Sequence, residues 1–182
     1  MPLTFSLIAA IAEHGGIGIN GTLPWHIKAD MKYFRELTEH HIVIMGRKTW
    51  ESIGSKPLSN RLNVVVTTSA ATLLDRHSDY TNVIFASSFD NALDLLTYVH
   101  VVDYTDKKVF VIGGESLYDV AIEKRNCEAI YLTKVRPVMD CDTFFPMKKL
   151  HSWFKMVEST DWQKENEWEY KFTKYELYDA YS

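Results

Sequence analysis

Asp30 is the residue of this chain best suited to hold or move a proton. The segment Lys28 to His40 has helical spacing, with Met31, Phe34 and Leu37 on one stripe. Asp30 stands four residues before Phe34 and so faces the same way. An acid in a helix's first turn complements the dipole, which is the plain reading of such a residue. A carboxylate turned toward an apolar pocket is different, because its pKa rises and it needs a partner, the mark of a functional acid. Just upstream, Leu23-Pro24-Trp25 follows a loop with glycines at 15, 16, 18 and 21, which permit tight turns. Exposing an indole is costly, so Trp25 is expected to cover something.

Two further clusters suit anions. Gly46-Arg47-Lys48-Thr49 follows the apolar run Ile42 to Met45, so a strand ends in glycine and a helix opens with two cations. Helix amides with Arg and Lys fit a phosphate or pyrophosphate, although solvated charges on a loop are the simpler alternative. Gly113-Gly114 stands between Val111-Ile112 and Glu115-Ser116-Leu117-Tyr118, where glycine lets backbone approach a ligand. Many strand-to-helix turns carry such a pair, and this one is neither a GxGxxG turn nor a Walker A loop. Other chemistries drop out. His40-His41 is the one cluster among seven histidines and no HExxH occurs, so no metal site is expected. There is no GxSxG. Cys127 and Cys141 lie outside any CxxC, which points to a reducing compartment and away from a disulfide framework.

These groups must be held by an α/β scaffold. Phe5 to Ala12, Ile42 to Met45, Val64 to Val66, Val83 to Ala86 and Val109 to Ile112 read as strands buried on both faces, which belong to parallel sheets. Lys28 to His40, Phe89 to His100 and Glu115 to Glu123 read as the helices between them. Ile130 to Thr133 adds a strand. Trp153 to Thr160 and Trp168 to Tyr178 alternate apolar with polar residues around the polar stretch Gln163 to Glu167, an antiparallel hairpin with one wet face. With no repeat or Gly/Ser linker, residues 1–182 are expected to form one domain. Apolar residues at 46% and charged residues at 24% exclude a disordered chain. Twenty basic against 24 acidic residues leave −4, no electrostatic reason to expect nucleic acid. No apolar stretch reaches the ~18 residues of a membrane span. No Lys or Arg precedes Lys28, so the apolar start reads as a strand and not as a leader.

In this order and spacing, several segments resemble dihydrofolate reductase over nearly the whole chain, from about Phe5 to about Leu177. They are Ser6-Leu7-Ile8-Ala9-Ala10, Leu23-Pro24-Trp25, Ala29-Asp30-Met31 with Phe34, Ile44 to Gly54, Pro57-Leu58 with Arg61, Val111 to Gly114 with Tyr118, and Tyr131-Leu132-Thr133. The resemblance implies an eight-stranded, mostly parallel sheet ending in an antiparallel hairpin and flanked by about four helices. It implies hydride transfer from NADPH to C6 of 7,8-dihydrofolate, with protonation of N5. Asp30 would then be the catalytic acid, Thr133 would hydrogen-bond its carboxylate, and Trp25 would order water beside it. Ile8, Met31, Phe34, Ile53, Leu58 and Tyr118 would surround the substrate, and Arg61 would take the α-carboxylate of its glutamate tail.

For the cofactor, the resemblance places Ala10, Ile17 and Ile19 around the nicotinamide. Gly46, Lys48, Thr49, Gly113, Gly114, Glu115, Ser116 and Leu117 fall around the pyrophosphate, with a cis bond between Gly113 and Gly114. Arg47, Thr67, Thr68 and Ser69 would surround the 2′-phosphate. Many relatives carry a basic residue just after this strand where this chain reads Thr67-Thr68-Ser69-Ala70-Ala71, and Arg76 is the compensating candidate. The expected partners are dihydrofolate and antifolate small molecules, with no nucleic acid or membrane, and a monomer in the cytoplasm. Two rivals are set apart by these residues. A related reductase such as that of riboflavin synthesis has no use for Arg61 or for an acid beside Phe34, and a non-catalytic folate-binding module has no use for a proton donor.

Overall fold

A computed structural model describes residues 3–98 and 107–179. In chain order it contains β1 (Phe5–Ile11), β2 (Gly16–Gly18), α1 (Lys28–Thr38), β3 (Ile42–Gly46), α2 (Arg47–Ser52), β4 (Leu62–Val66), α3 (Ala70–Arg76), β5 (Val83–Ala86), α4 (Phe89–Tyr98), β6 (Val109–Val111) and α5 (Glu115–Ala121). These are followed by β7 (Cys127–Arg136), β8 (Thr143–Phe144), α6 (Met147–Trp153), β9 (Phe154–Ser159), β10 (Gln163–Glu165) and β11 (Trp168–Leu177). The helix expected to run to His100 is seen to Tyr98; Val99 and His100 lie outside the described residues.

The main sheet runs β10-β11-β7-β1-β6-β3-β4-β5, with β9 also on β11. All pairings from β7 to β5 are parallel, and β11 is antiparallel to β7. It therefore has nine strands in eight positions. Residues 168–170 of β11 pair with β10 and residues 173–177 with β9, so these two short strands lie end to end along one edge. The polar stretch expected to be only the connection of a hairpin thus contains a strand of its own. Among the described residues six α-helices flank the sheet; α3 and α6, of seven residues each, are the two that the apolar spacing did not mark.

The continuous apolar runs have the two-faced burial that parallel strands require. In β3, Ile42 and Ile44 pack with Leu7, Val64, Val111 and Ala121, while Val43 and Met45 pack on the opposite face with Trp50 and Val65. A third cluster, Ala12, Trp25, Ile27, Val135 and Tyr170, fastens the start of α1 to the antiparallel end of the sheet. Each fully buried Val, Leu or Ile contributes roughly 1.5–3 kcal/mol. Among the described residues no helix is long and apolar enough to cross a membrane. Because β1, β3, β4, β6 and β7 are parallel, their carboxyl ends form one rim. β6 wedges between β1 and β3 there, the switch point at which open α/β sheets bind ligands.

Candidate active site

α1 crosses this rim. Its second turn is fixed by Tyr33, stacked on Phe172 of β11 at 4.0 Å between ring centroids. Asp30, in the first turn, meets Thr133 of β7, which the register places beside Ala10 of β1 and Phe172 of β11. Burial pushes the Asp30 carboxyl above its ordinary range, and the hydrogen bond donated by Thr133 pulls it part of the way back. Tyr118 is buried beneath the same site and donates a 2.7 Å hydrogen bond to the Ile8 carbonyl. Its phenol is pushed up first by burial and then by the Asp30 charge. Tyr33 is raised to about 12, mainly by burial, with smaller contributions from Tyr131, Glu158 and Asp30. Trp25 is buried, and its Nε1 has no hydrogen-bond partner among the described residues. A buried N–H without an acceptor calls for a water or a ligand.

At the far end of α1 stands Arg61, only 6% exposed. Its Nε donates to the Ser59 carbonyl at 2.9 Å and its Nη1 to Thr38 Oγ1 at 3.1 Å. These bonds fix the guanidinium plane and leave Nη2 without an acceptor among the described residues. Burial lowers the Arg61 pKa, and the neighbouring Glu39 carboxylate pulls it back up. Asp30 and Thr38 are eight residues apart, so the acid and the guanidinium lie ~12 Å apart along the helix axis. Ile53 and Leu58 are half-buried against the Trp50 cluster. The apolar stripe on α1 does not face the core throughout: Phe34 and Leu37 are half-buried, but Met31 is 57% exposed, because α1 lies along the rim and not over the sheet.

The anion-binding candidates gather on the other side of the rim. Gly46 N–H donates to the Gly113 carbonyl at 2.8 Å, joining the ends of β3 and β6. The Gly113–Gly114 bond is cis. Gly113 has φ +127°, and a Cβ there would stand 3.3 Å from Thr49 Oγ1 and 3.4 Å from Tyr118 Oη. The rim is therefore bare backbone at this point, with Lys48 exposed at its edge. Leu117 is only 7% exposed and packs into the core, so its side chain does not reach the rim. Ser116 and Glu115 line a cavity of ≈ 370 Å³ with Asp119, Phe144, Phe145 and Pro146.

Farther along, a second cavity of ≈ 420 Å³ is lined by Arg47, Glu51, Thr68, Ser69, Thr72, Leu73 and Arg76. Arg47 Nη1 pairs with Glu51 Oε1 at 2.6 Å. Thr67 is buried and accepts the Ser69 N–H at 3.2 Å, so it shapes the turn instead of lining the cavity. Ile17 and Ile19 lie in and just after β2, which pairs with β8. This loop is tied down by Asn20 N–H to Asp142 Oδ2 and by Asp142 N–H to the Gly18 carbonyl, both at 2.9 Å.

Several of these participants escaped the reading of the sequence. Thr72 sits four residues before Arg76, the cation named from the sequence, on α3, a spacing that would have shown their shared face had the helix been recognised. Glu51 is four residues from Arg47 on α2 and was detectable the same way. Asn63, fully buried in β4, binds the Leu58 N–H and carbonyl and so holds the Leu58 loop; its signal was a lone amide in an apolar strand. Asp142 acts across 122 residues and gave no local signal.

Comparison with known proteins agrees with this geometry. The family model described as dihydrofolate reductase matches residues 4–177. The dihydrofolate reductase of Aedes albopictus is 33% identical over 94% of this chain and 96% of its own length. Bifunctional dihydrofolate reductase-thymidylate synthase 2 of Arabidopsis thaliana is 42% identical over 79% of this chain. The match covers 26% of that protein, so the chain spans about a quarter of the length of this bifunctional relative. The solved dihydrofolate reductase from Enterococcus faecalis, complexed with NADP(H) and RAB-propyl, superposes with a TM-score of 0.75 at 28% identity, covering 97% of both chains. Matched in sequence from residue 4 to residue 177 and in fold over almost its whole length, the chain belongs to the dihydrofolate reductase family.

Proposed function

We propose that the chain reduces 7,8-dihydrofolate to 5,6,7,8-tetrahydrofolate with NADPH, supplying one-carbon and thymidylate metabolism. The observation that carries this reading is the pairing along α1 of a half-buried acid held by Thr133 with a fixed guanidinium ~12 Å away. A substrate with a cationic, proton-accepting ring at one end and a carboxylate at the other matches that spacing of opposite charges.

The residues fit the cofactor. Bare backbone at Gly46, Gly113 and Gly114, with Thr49 and Lys48, suits a pyrophosphate. The cavity between Arg47 and Arg76, edged by Thr68 and Ser69, suits a 2′-phosphate. Ala10, Ile17 and Ile19 would border the nicotinamide. NADPH supplies the hydride. The chain's part is to make the acceptor electrophilic. Asp30 holds the pterin's amidine edge, and its charge in a poorly hydrated pocket stabilises protonation at N5. Thr133 keeps the carboxylate oriented, and Trp25 Nε1 directs a water toward the proton path. Ile8, Met31, Phe34, Ile53, Leu58 and Tyr118 enclose the rings, and the free Nη2 of Arg61 takes the tail carboxylate.

The same reading makes the chain one catalytic domain, monomeric and cytoplasmic, with dihydrofolate and antifolates as partners and neither nucleic acid nor membrane. NADPH oxidation followed with and without dihydrofolate tests it. Loss of absorbance only when dihydrofolate is present is expected. No dihydrofolate-dependent loss would favour a binding module, and loss with another pyrimidine or pterin substrate would favour a related reductase.

A further inference from the structure

The residue preceding α1 is Ile27, which supplies no side-chain cap, so the helix that carries Asp30 begins with unsatisfied N–H groups. Two of them are satisfied from the other end of the chain. Glu165, on β10, accepts the Lys28 N–H through Oε2 at 2.6 Å and the Ala29 N–H through Oε1 at 3.1 Å. These two residues immediately precede Asp30. We propose that Glu165 is a positioning residue for Asp30: its carboxylate, bridging the first two amides of α1, sets where the helix starts and therefore where the acid meets Thr133. The inference rests on the reading of Asp30 as the catalytic acid.

The geometry gives the carboxylate a task that packing leaves undone. Ile27 and Ala29 pack with Tyr170, Trp168 and Phe172, and Tyr33 stacks on Phe172. Apolar packing is non-directional and tolerates a slide or a small rotation. Two hydrogen bonds accepted by the two oxygens of one carboxylate fix both. Each residue of a helix advances ~1.5 Å with about 100° of rotation. A small slip in the first turn would therefore carry the Asp30 carboxyl away from Thr133, which is set by the β1–β7–β11 register. β10 is held in turn by its pairing with β11, Glu165 lying opposite Trp168. The short polar strand at the sheet edge thus acts as a bracket for the catalytic helix.

The test compares wild type with Glu165→Ala and Glu165→Gln in three readouts: amide hydrogen exchange at Lys28 and Ala29, the hydride-transfer rate with the KM for dihydrofolate, and the Kd for NADPH. Glu165→Ala should expose both amides, raise the dihydrofolate KM and slow hydride transfer by roughly 10- to 100-fold, as misplacement of about 1 Å does. The NADPH Kd should stay within about twofold, because the cradle at Gly46 and Gly113 is built on other strands. Glu165→Gln keeps one accepting oxygen and should fall between the two. Should Glu165→Ala fail to fold, Glu165→Gln carries the comparison. Unchanged amide exchange would overturn the clamp. A rate that falls only with the folded fraction, at unchanged dihydrofolate KM, would overturn the positioning role and leave a structural cap. A wild type inactive toward dihydrofolate would instead overturn the reading of function on which the role depends.

Discussion

Asp30→Asn separates the acid's chemistry from its place in the fold. The amide is isosteric, and its Oδ1 can still accept the hydrogen bond that Thr133 donates to the carboxylate, so the ligand should keep its position. What is lost is charge and proton supply. The other carboxylates on or beside α1 are already engaged: Glu165 with the Lys28 and Ala29 amides, Glu36 with Lys32, and Glu39 with Arg35 and Asn60. With these carboxylates engaged, the full cost of losing general acid assistance applies, roughly 10²–10⁴ in rate. That is about 3–5 kcal/mol in the barrier. The variant should recover as pH falls, because solvent then protonates dihydrofolate before it binds. Stability should move the other way. Burial raises the Asp30 pKa, so the folded state binds this proton more tightly than the unfolded state. Wild-type stability therefore falls as pH rises from the ordinary aspartate value to the raised folded value, and the deficit persists above it. Asn carries no such penalty, so the variant should melt higher than wild type at neutral pH and lose the advantage in acid. Stopped-flow hydride transfer from about pH 5 to about pH 9, with parallel thermal melts, measures both. A wild-type rate at neutral pH would place the acid elsewhere, and a lower melting temperature would contradict the burial argument.

Arg47→Ala should weaken NADPH roughly tenfold and leave NADH unchanged, since a half-exposed charge-assisted contact stands at the low end of its usual range; equal losses for both cofactors would move the 2′-phosphate elsewhere. Glu51→Gln should do the reverse, tightening NADPH about two- to fivefold by freeing Arg47 from its 2.6 Å partner, as titration of cofactor binding would show. Arg61→Leu should lower kcat/KM for dihydrofolate but not for a dihydropterin lacking the tail, and parallel losses would refute the tail site. Asn63→Ala leaves the Leu58 N–H and carbonyl unpaired, at about 2–3 kcal/mol, so the melting temperature should drop by roughly 4–12 °C.

The sheet was legible because parallel strands must be apolar on both faces, and β1, β3, β5 and β6 are. β4 was read short: it starts at Leu62, but the fully buried Asn63 interrupts the apolar run, a residue present for the Leu58 loop and not for the core. β10 was read as a connection because Gln163-Lys164-Glu165 is wholly polar, as an edge strand can be. Asp30, Trp25 and the glycine turns stood out because each is anomalous where it sits. Arg47 and Thr49 stood out because they adjoin their strand. Glu165 and Asp142 did not, because each serves an amide more than a hundred residues away. Such a carboxylate has the same local sequence whether it caps a helix or faces water.

The two halves of the site are assembled by different physics. The anion side depends on β6, which enters between β1 and β3 although three helices and two other strands separate it from β3 in sequence. One insertion brings the Gly113 carbonyl to the Gly46 amide and, through α5, the Tyr118 hydroxyl to the Ile8 carbonyl. That cradle is backbone held by backbone, and the register of a fully buried strand leaves it no alternative alignment. The acid side has no such guarantee. Asp30 belongs to a helix at the rim with Thr38 as its only buried residue, held by Tyr33 on Phe172 at one turn and by Glu165 at its first amides. A helix with so little buried surface depends on those contacts for its place, whereas the cradle does not. The division suits a reaction in which one partner is gripped by invariant phosphate geometry and the other must be protonated at a particular atom.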